Sequence, residues 1–397
     1  MANWSELPQE LVRKVATQHI ENVEDFEEIG KVCSDWRSAT KDVNLCPSKN
    51  TQLPWLMLVD PPNSPHRRFY SLSKHMFQKI NLPQHDDDDD DDDDDDHVRY
   101  FSSKGWLISL SMKNRNITLF DPASGKLIKL PSVPLNMLWY GDWYDDSYLG
   151  HFSKFILSGI PSSCDDDFTV AMMFDGNQQL AFWRPGEQKW TKPVVDFDIN
   201  WMLDTCFFYG EFYAIDHFGK VMAFGSQISN RQPRIVVDLI DQGVLFKQTN
   251  GMFYLVQVES KLLVVHRHHL LLDNHERNPE NTNEVCWTIC FEVFELNVDN
   301  GKLKSVEGVG NQAIFIGLNS TFSVEASSGK RGCKPNCIYF IDDNTEYFQE
   351  DAVLMGGGID MGIYSLDEGK LIERFYEGPS QFCFTTPPIW VERRGNM

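Results

Sequence analysis

The chain has 397 residues, 42% hydrophobic and 13% aromatic, which is long and apolar enough for a packed core and excludes global disorder. Its formal net charge is -22, and without the run Asp86–Asp96 acidic residues still outnumber basic ones 47 to 36, which argues against nucleic acid and anionic membrane as main partners. Nine scattered cysteines, an N-terminus with no basic or apolar leader pattern, and no apolar run of roughly 18–20 residues point to free thiols in the cytoplasm or nucleus.

The first forty-odd residues predict three short amphipathic helices. Pro8 suits a first helical turn, where its missing N–H costs nothing, and Glu10 favours the positive helix end. Leu7, Leu11, Val12 and Val15 follow at helical spacing. A second helix is expected after Asn22, with Val23, Phe26, Ile29, Val32 and Cys33 as its apolar stripe. Ser34 or Asp35 can cap a third, which carries Trp36, Arg37 and Ala39. From periodicity alone this is a helical cap that folds onto whatever follows. So small a unit exposes more apolar surface than it can bury within itself.

The order Leu7-Pro8, Leu11, Val15, Ile20, Asp25-Phe26, then Val32-Cys33-x-x-Trp36-Arg37 resembles the F-box motif. That resemblance implies docking on the Skp-type adaptor of a cullin–RING ubiquitin ligase. It assigns adaptor contact to Leu7, Pro8, Leu11, Val12, Val15, Phe26, Val32 and Trp36.

From about Leu53 the chain changes to short runs rich in Val, Ile, Phe, Tyr and Trp, separated by Gly, Asp, Asn and Pro. This is the pattern of many short antiparallel strands. Turns of one type recur at Asp121–Lys126, Arg184–Lys189, Asp216–Lys220, Asp299–Lys302 and Asp367–Lys370. Each puts an acidic residue or proline, a glycine and a basic residue between strands, with the glycine supplying positive φ. Such a repeat favours a β-propeller over a pair of β-sandwiches, and some 340 residues hold six or seven blades. The gaps between turns are uneven. The run Asp86–Asp96 reads as a solvated insertion, because adjacent like charges repel and cannot be packed. A Ca²⁺ site there lacks the glycine that shapes such loops.

Ser102–Leu107, Gly332–Phe340, Asp360–Tyr364 and Pro387-Pro388-Ile389-Trp390 resemble plant F-box proteins with a KIB-type β-propeller. The resemblance runs over most of residues 53–392 and implies a fold and a lineage rather than a target.

Chemistry-bearing clusters are sparse. His266 and His268 share a strand face, but no third ligand follows at a defined spacing. Cys286 and Cys290 sit on a strand about 13 Å apart, too far for one metal. Cys333 and Cys337 flank a turn, and core thiols are the preferred reading. There is no P-loop, nucleophile elbow or zinc-protease motif, and Gly356-Gly357-Gly358 reads as a tight strand entry. The densest aromatic patch is Leu138–Asp146. Trp139, Tyr140, Trp143 and Tyr144 are candidate target contacts, unless the patch is a blade edge packing its neighbour.

The expectation is therefore mainly β: a three-helix F-box over 1–45, then a six- or seven-bladed propeller over 46–397 with an acidic insertion at 85–97. The expected role is the substrate-recognition subunit of an SCF-type E3 ubiquitin ligase. It would reach cullin through the adaptor and bind an unknown target protein, with no catalytic residues, metal or cofactor of its own. A propeller that binds without ligase assembly, and a propeller enzyme, are the alternatives. The acidic surface favours a target with a basic patch.

Overall fold

The computed structural model of the protein describes residues 7–18, 29–41, 53–58, 66–72, 76–82, 98–111, 115–122, 124–133, 152–161, 167–174, 179–225, 232–243, 251–270, 287–317, 319, 321–326, 333–341, 360–374 and 388–392. Helix α1 spans Gln9–Gln18 and α2 spans Ser34–Ala39, and residues 29–32 are also helical. Pro8 lies just before α1, where its carbonyl accepts the N–H groups of Leu11 at 2.9 Å and Val12 at 3.2 Å. The N-cap of α2 is an extended Cys33, not Ser34 or Asp35, and no side chain caps it. Val12, Trp36 and Ala39 form a miniature core, with Leu7, Ile29 and Cys33 packed against it. The guanidinium of Arg37 donates to Gly30 O at 3.1 Å, tying α2 to the preceding helical residues.

The rest is a six-bladed β-propeller. Blade 1 holds β1 (Trp55–Met57), β2 (His66–Ser71) and β3 (Met76–Asn81); blade 2 holds β4 (Val98–Ser103), β5 (Trp106–Ser111), β6 (Ile117–Phe120) and β7 (Leu127–Leu130). Blade 3 holds β8 (Phe152–Leu157), β9 (Val170–Phe174) and β10 (Gln179–Trp183); blade 4 holds β11 (Met202–Phe208), β12 (Glu211–Asp216), β13 (Lys220–Gly225) and β14 (Arg234–Asp238). Blade 5 holds β15 (Gly251–Val258), β16 (Lys261–Leu270), β17 (Trp287–Leu296) and β18 (Leu303–Ser305). Blade 6 holds β19 (Gln312–Ile316), β20 (Phe322–Glu325), β21 (Cys337–Phe340), β22 (Gly362–Ser365) and β23 (Lys370–Glu373). The final strand, β24 (Ile389–Val391), returns to blade 1 and pairs antiparallel with β1, Leu56 opposite Trp390. One sheet thus contains both ends of the propeller chain, which closes the ring and protects its edges.

Blade 6 departs from the simple meander. Its order is β20-β19-β21-β22-β23, and β19 pairs with β21 in parallel, Ile314 opposite Ile338.

The core is six wedges, one between each pair of neighbouring blades. Trp106, Ile108 and Leu110 of β5 fill the wedge toward blade 3, while Leu107 fills the one toward blade 1. Both faces of such a strand are therefore buried, and all five residues of β9 are. The strands read as continuous apolar runs rather than alternating ones for this reason. No helix among the described residues is long and apolar enough to cross a membrane.

The predicted turns fall where expected. Gly125 N–H bonds Asp121 O at 2.8 Å between β6 and β7; Gly301 N–H bonds Asn297 O at 2.8 Å between β17 and β18; Gly369 N–H bonds Ser365 O at 2.9 Å between β22 and β23. Gly301 is the most constrained. It has φ +70, and a Cβ there would lie 2.5 Å from the Val236 carbonyl oxygen of blade 4. Gly369 has φ +62 but would meet only Tyr364 Oη at 3.9 Å. Gly301→Ala is therefore expected to cost about 1–3 kcal/mol through strain and clash. Gly369→Ala should cost about 1 kcal/mol from the left-handed backbone alone. Parallel melting curves would contradict this if the two variants lost the same stability.

Candidate functional site

The first candidate surface is on the helices. Val12 is 1% exposed and Trp36 8%, whereas Leu11 is 47%, Val15 38% and Val32 53% exposed. Leu11 and Val15 are four residues apart and share one helix face; Val12 and Ala16 share another, rotated by about 100°. The single stripe expected from spacing therefore divides into an inner and an outer face. Of the eight residues assigned to the adaptor, Leu11, Val15 and Val32 are open apolar side chains, Pro8 is exposed and Leu7 half-buried. Val12 and Trp36 face the unit's own core, and Phe26 lies outside the described residues.

The second is the propeller axis. Strand ends from all six blades surround a cavity of about 320 Å³, with Lys104, Thr205, Gln257, Glu259, Ser323 and Glu392 on its wall. Two-residue hairpins join the first two strands of blades 2 and 4, and Lys104 of the first lies on this wall. Lys104-Gly105 (φ 49 and 75) and Tyr209-Gly210 (φ 43 and 85) both use the positive φ angles that a type I′ turn demands. The signal was present in the sequence as X-Gly between two strand-like runs.

Behind the wall lies a buried polar hub. Lys154 Nζ of β8 meets Asp204 Oδ1 of β11 at 2.5 Å, with both side chains at most 3% exposed. Asp204 Oδ1 also accepts its neighbour's amide, Thr205 N–H, at 2.6 Å. Its Oδ2 accepts Leu255 N–H from blade 5 and Thr321 Oγ1–H beside β20, each at 2.9 Å. One carboxylate thus binds groups from blades 3, 4, 5 and 6. On the other side, Ser103 Oγ accepts Leu157 N–H at 3.0 Å, and Ser102 Oγ donates to Trp390 O. Cys206 adjoins the hub, and burial pushes its thiol far above the usual range, so it is no ready nucleophile.

A third cluster lies on blade 5. Leu262, Val264, His266 and His268 share the face of β16 that looks toward blade 4. The sequence supplied no third ligand by spacing, but the register supplies one: Glu292 of β17 sits directly opposite His266. Glu292 Oε2 is 2.7 Å from His268 Nε2 and 3.7 Å from His266 Nδ1. Burial, then the neighbouring His268 and His269, holds the His266 imidazole down to about 3, so it is neutral at physiological pH.

Arg267 points to the opposite face. It bonds Asp360 Oδ2 at 3.0 Å and Ile341 O at 2.9 Å, and lies 4.8 Å over the Phe340 ring, which fastens blade 5 to blade 6. Cys333 and Cys337 are core thiols, pushed by burial up to about 12 and about 11. Cys290 lies on β17 as the strand reading requires. The aromatic patch Trp139, Tyr140, Trp143 and Tyr144, the acidic insertion, Cys286 and the run Gly356–Gly358 lie outside the described residues.

Comparison with known proteins agrees with this architecture. Putative F-box protein At3g25750 of Arabidopsis thaliana is 25% identical over 402 residues, covering 96% of each chain. F-box/kelch-repeat protein At1g57790 of the same plant is 23% identical, covering 98% of this chain and 94% of its own. F-box protein SKIP23, also from Arabidopsis thaliana, is 24% identical, covering 98% and 96%. These alignments run through the N-terminal helices as well as the blades. The model of the KIB1-4 beta-propeller matches residues 69–365, from the second strand of blade 1 to the end of β22 in blade 6. With three quarters of its length under that match and six blades closed by its own last strand, the chain belongs to the KIB1-4 beta-propeller family.

Proposed function

We propose that this protein is the substrate-recognition subunit of an SCF-type ubiquitin ligase, its helices holding a Skp-type adaptor and its propeller holding a target protein. The observation that carries this reading is the outer helix face. Leu11, Val15 and Val32 are exposed on a unit whose own core is little more than Val12, Trp36 and Ala39. Apolar side chains on so small a unit are an interface awaiting its other half. The F-box names of relatives aligned along the full chain support the same reading.

The mechanism is proximity. The adaptor leads to cullin and a loaded conjugating enzyme, and the propeller raises the local concentration of target lysines there. Among the described residues at the axis, Asp204 and Lys154 are committed to each other and to the blades. The lining offers polar and charged groups for recognition.

The test is capture of a purified Skp-type adaptor by the full-length chain. Leu11→Asp and Val15→Asp should each weaken capture by roughly 10- to 100-fold, the equivalent of about 1.5–3 kcal/mol for one buried aliphatic side chain. Trp36→Ala should weaken it indirectly, together with a loss of helix content, because its ring is inside the unit. Failure of the wild-type chain to capture adaptor would sink the ligase reading. Undiminished capture by both aspartate variants would sink the assignment of the face.

A further inference from the structure

We propose that His266, His268 and Glu292 form a binding site for a single divalent transition-metal ion of the zinc class on blade 5. The three ligand atoms lie within 4.8 Å of one another. Four-coordinate zinc with bonds of about 2.0–2.1 Å places its ligand atoms roughly 3.3 Å apart. The observed 2.7 and 3.7 Å separations from the glutamate oxygen bracket that value. Rotamer adjustments that draw the ligand atoms from within 4.8 Å of one another to about 3.3 Å would complete the site.

The strands dictate this arrangement. Residues i and i+2 of one strand share a face, and the residue directly opposite on the next strand lies beside them. The β16–β17 register brings Glu292 opposite His266. A glutamate–histidine pair alone would need one imidazole. Here a second ring is packed beside the first, centroids 3.9 Å apart, and stacked on Phe253 at 4.4 Å. Two imidazoles and one carboxylate are a donor set that zinc takes, with the fourth position left to water.

Space for the buried ring is also provided. Gly251 of β15 is opposite His268, and a Cβ there would come within 2.1 Å of His266 Nε2. Exposure rises across the site from 2% at His266 to 13% at His268 and 54% at Glu292, so an ion can enter from the glutamate side and keep a water as its fourth ligand. The site would tie β16 to β17 near one end of the blade.

The test uses full-length protein, stripped with chelator and titrated with Co²⁺ as the optical probe and Zn²⁺ as competitor. One equivalent of Co²⁺ should give the visible bands of a four-coordinate nitrogen/oxygen site, without thiolate charge transfer, and one equivalent of Zn²⁺ should remove them. His268→Asn and Glu292→Gln should each weaken binding by more than the roughly 10–100-fold that loss of a supporting partner costs. Zn²⁺ should raise the wild-type melting temperature and not that of Glu292→Gln, whose exposed side chain makes the variant safe for folding. If His268→Asn does not fold, the glutamate variant decides. The absence of a saturable four-coordinate spectrum, a thiolate spectrum, the weak spectrum of oxygen-only ions from the aspartate run, or equal affinity in Glu292→Gln would each overturn the proposal.

Discussion

Asp204→Ala is expected to lower the stability of the propeller by about 3–5 kcal/mol, the cost of leaving one partner of a buried ion pair behind. Lys154 would keep a charge at 3% side-chain exposure with its counter-ion gone. The amide of Leu255 and the hydroxyl of Thr321 would lose their acceptor at the same time, and each orphaned buried donor adds to the penalty. Because these groups come from four blades, the loss should spread around the axis. Asp204→Asn keeps an acceptor and should cost less. Lys154→Met with Asp204→Leu removes both charges and should recover the part of the alanine variant's loss that comes from the unpaired lysine, while the Leu255 amide and Thr321 hydroxyl still lack the carboxylate. Thermal melting at one fixed scan rate reads all three. An alanine variant that melts with the wild type would show that the hub is not a fastening. A double variant no better than Asp204→Ala would show that the geometry of the carboxylate, rather than the pairing of charge, is what matters.

The class of fold was legible because the turns carry local chemistry. Asp121–Gly125, Asn297–Gly301 and Ser365–Gly369 each close a hairpin through local backbone bonds, and no distant residue is needed to recognise them. Their uneven spacing also has a cause. The turn after Phe120 joins the outer pair β6–β7, whereas the one after Asp216 joins the middle pair β12–β13. The same sequence signature marks different places in different blades, so it could not count them. The parallel pairing of β19 with β21 left no local trace, because register between strands that are not hairpin neighbours is a tertiary property.

The sites were less legible for the same reason. Leu11 and Val12 are adjacent apolar residues on a ten-residue helix, and which of them faces outward depends on where Trp36 packs. The histidine pair was visible, but its glutamate arrives from another strand by register. The hub does have a local signal: Lys154 and Asp204 are the single charged residues of the mostly apolar strands β8 and β11. A charge in such a run is costly unless paired, so two of them on neighbouring innermost strands should be sought as partners.

Trp390→Ala is expected to open the ring at its seam and to cost about 3–5 kcal/mol, the usual penalty for emptying a large aromatic site. Trp390 is fully buried, and its indole packs edge-on against Phe315 of blade 6, with centroids 5.1 Å apart. Its Nε1–H donates to Ile316 O at 3.0 Å, and its own carbonyl accepts from Ser102 of blade 2. One residue of the last strand therefore holds the sixth, first and second blades together. Trp390→Phe retains much of the packing and loses only the indole bond to the Ile316 carbonyl, which still accepts Ile341 N–H at 3.3 Å, so it should cost less, about 0.5–1.5 kcal/mol for the bond. The distinguishing readout is hydrogen exchange. If β24 is the closing strand, amides of 55–57 and 389–391 should lose protection first in the alanine variant, ahead of those in β12 and β13, which lie far from the seam. Uniform loss of protection across all blades would mean that the ring unfolds as one unit and that the seam is no weaker than the rest. The result also bears on function. The proposed role of holding a target at a fixed distance from a ligase needs a rigid body, and a ring closed by the three residues of β24 is rigid only while Trp390 stays in place.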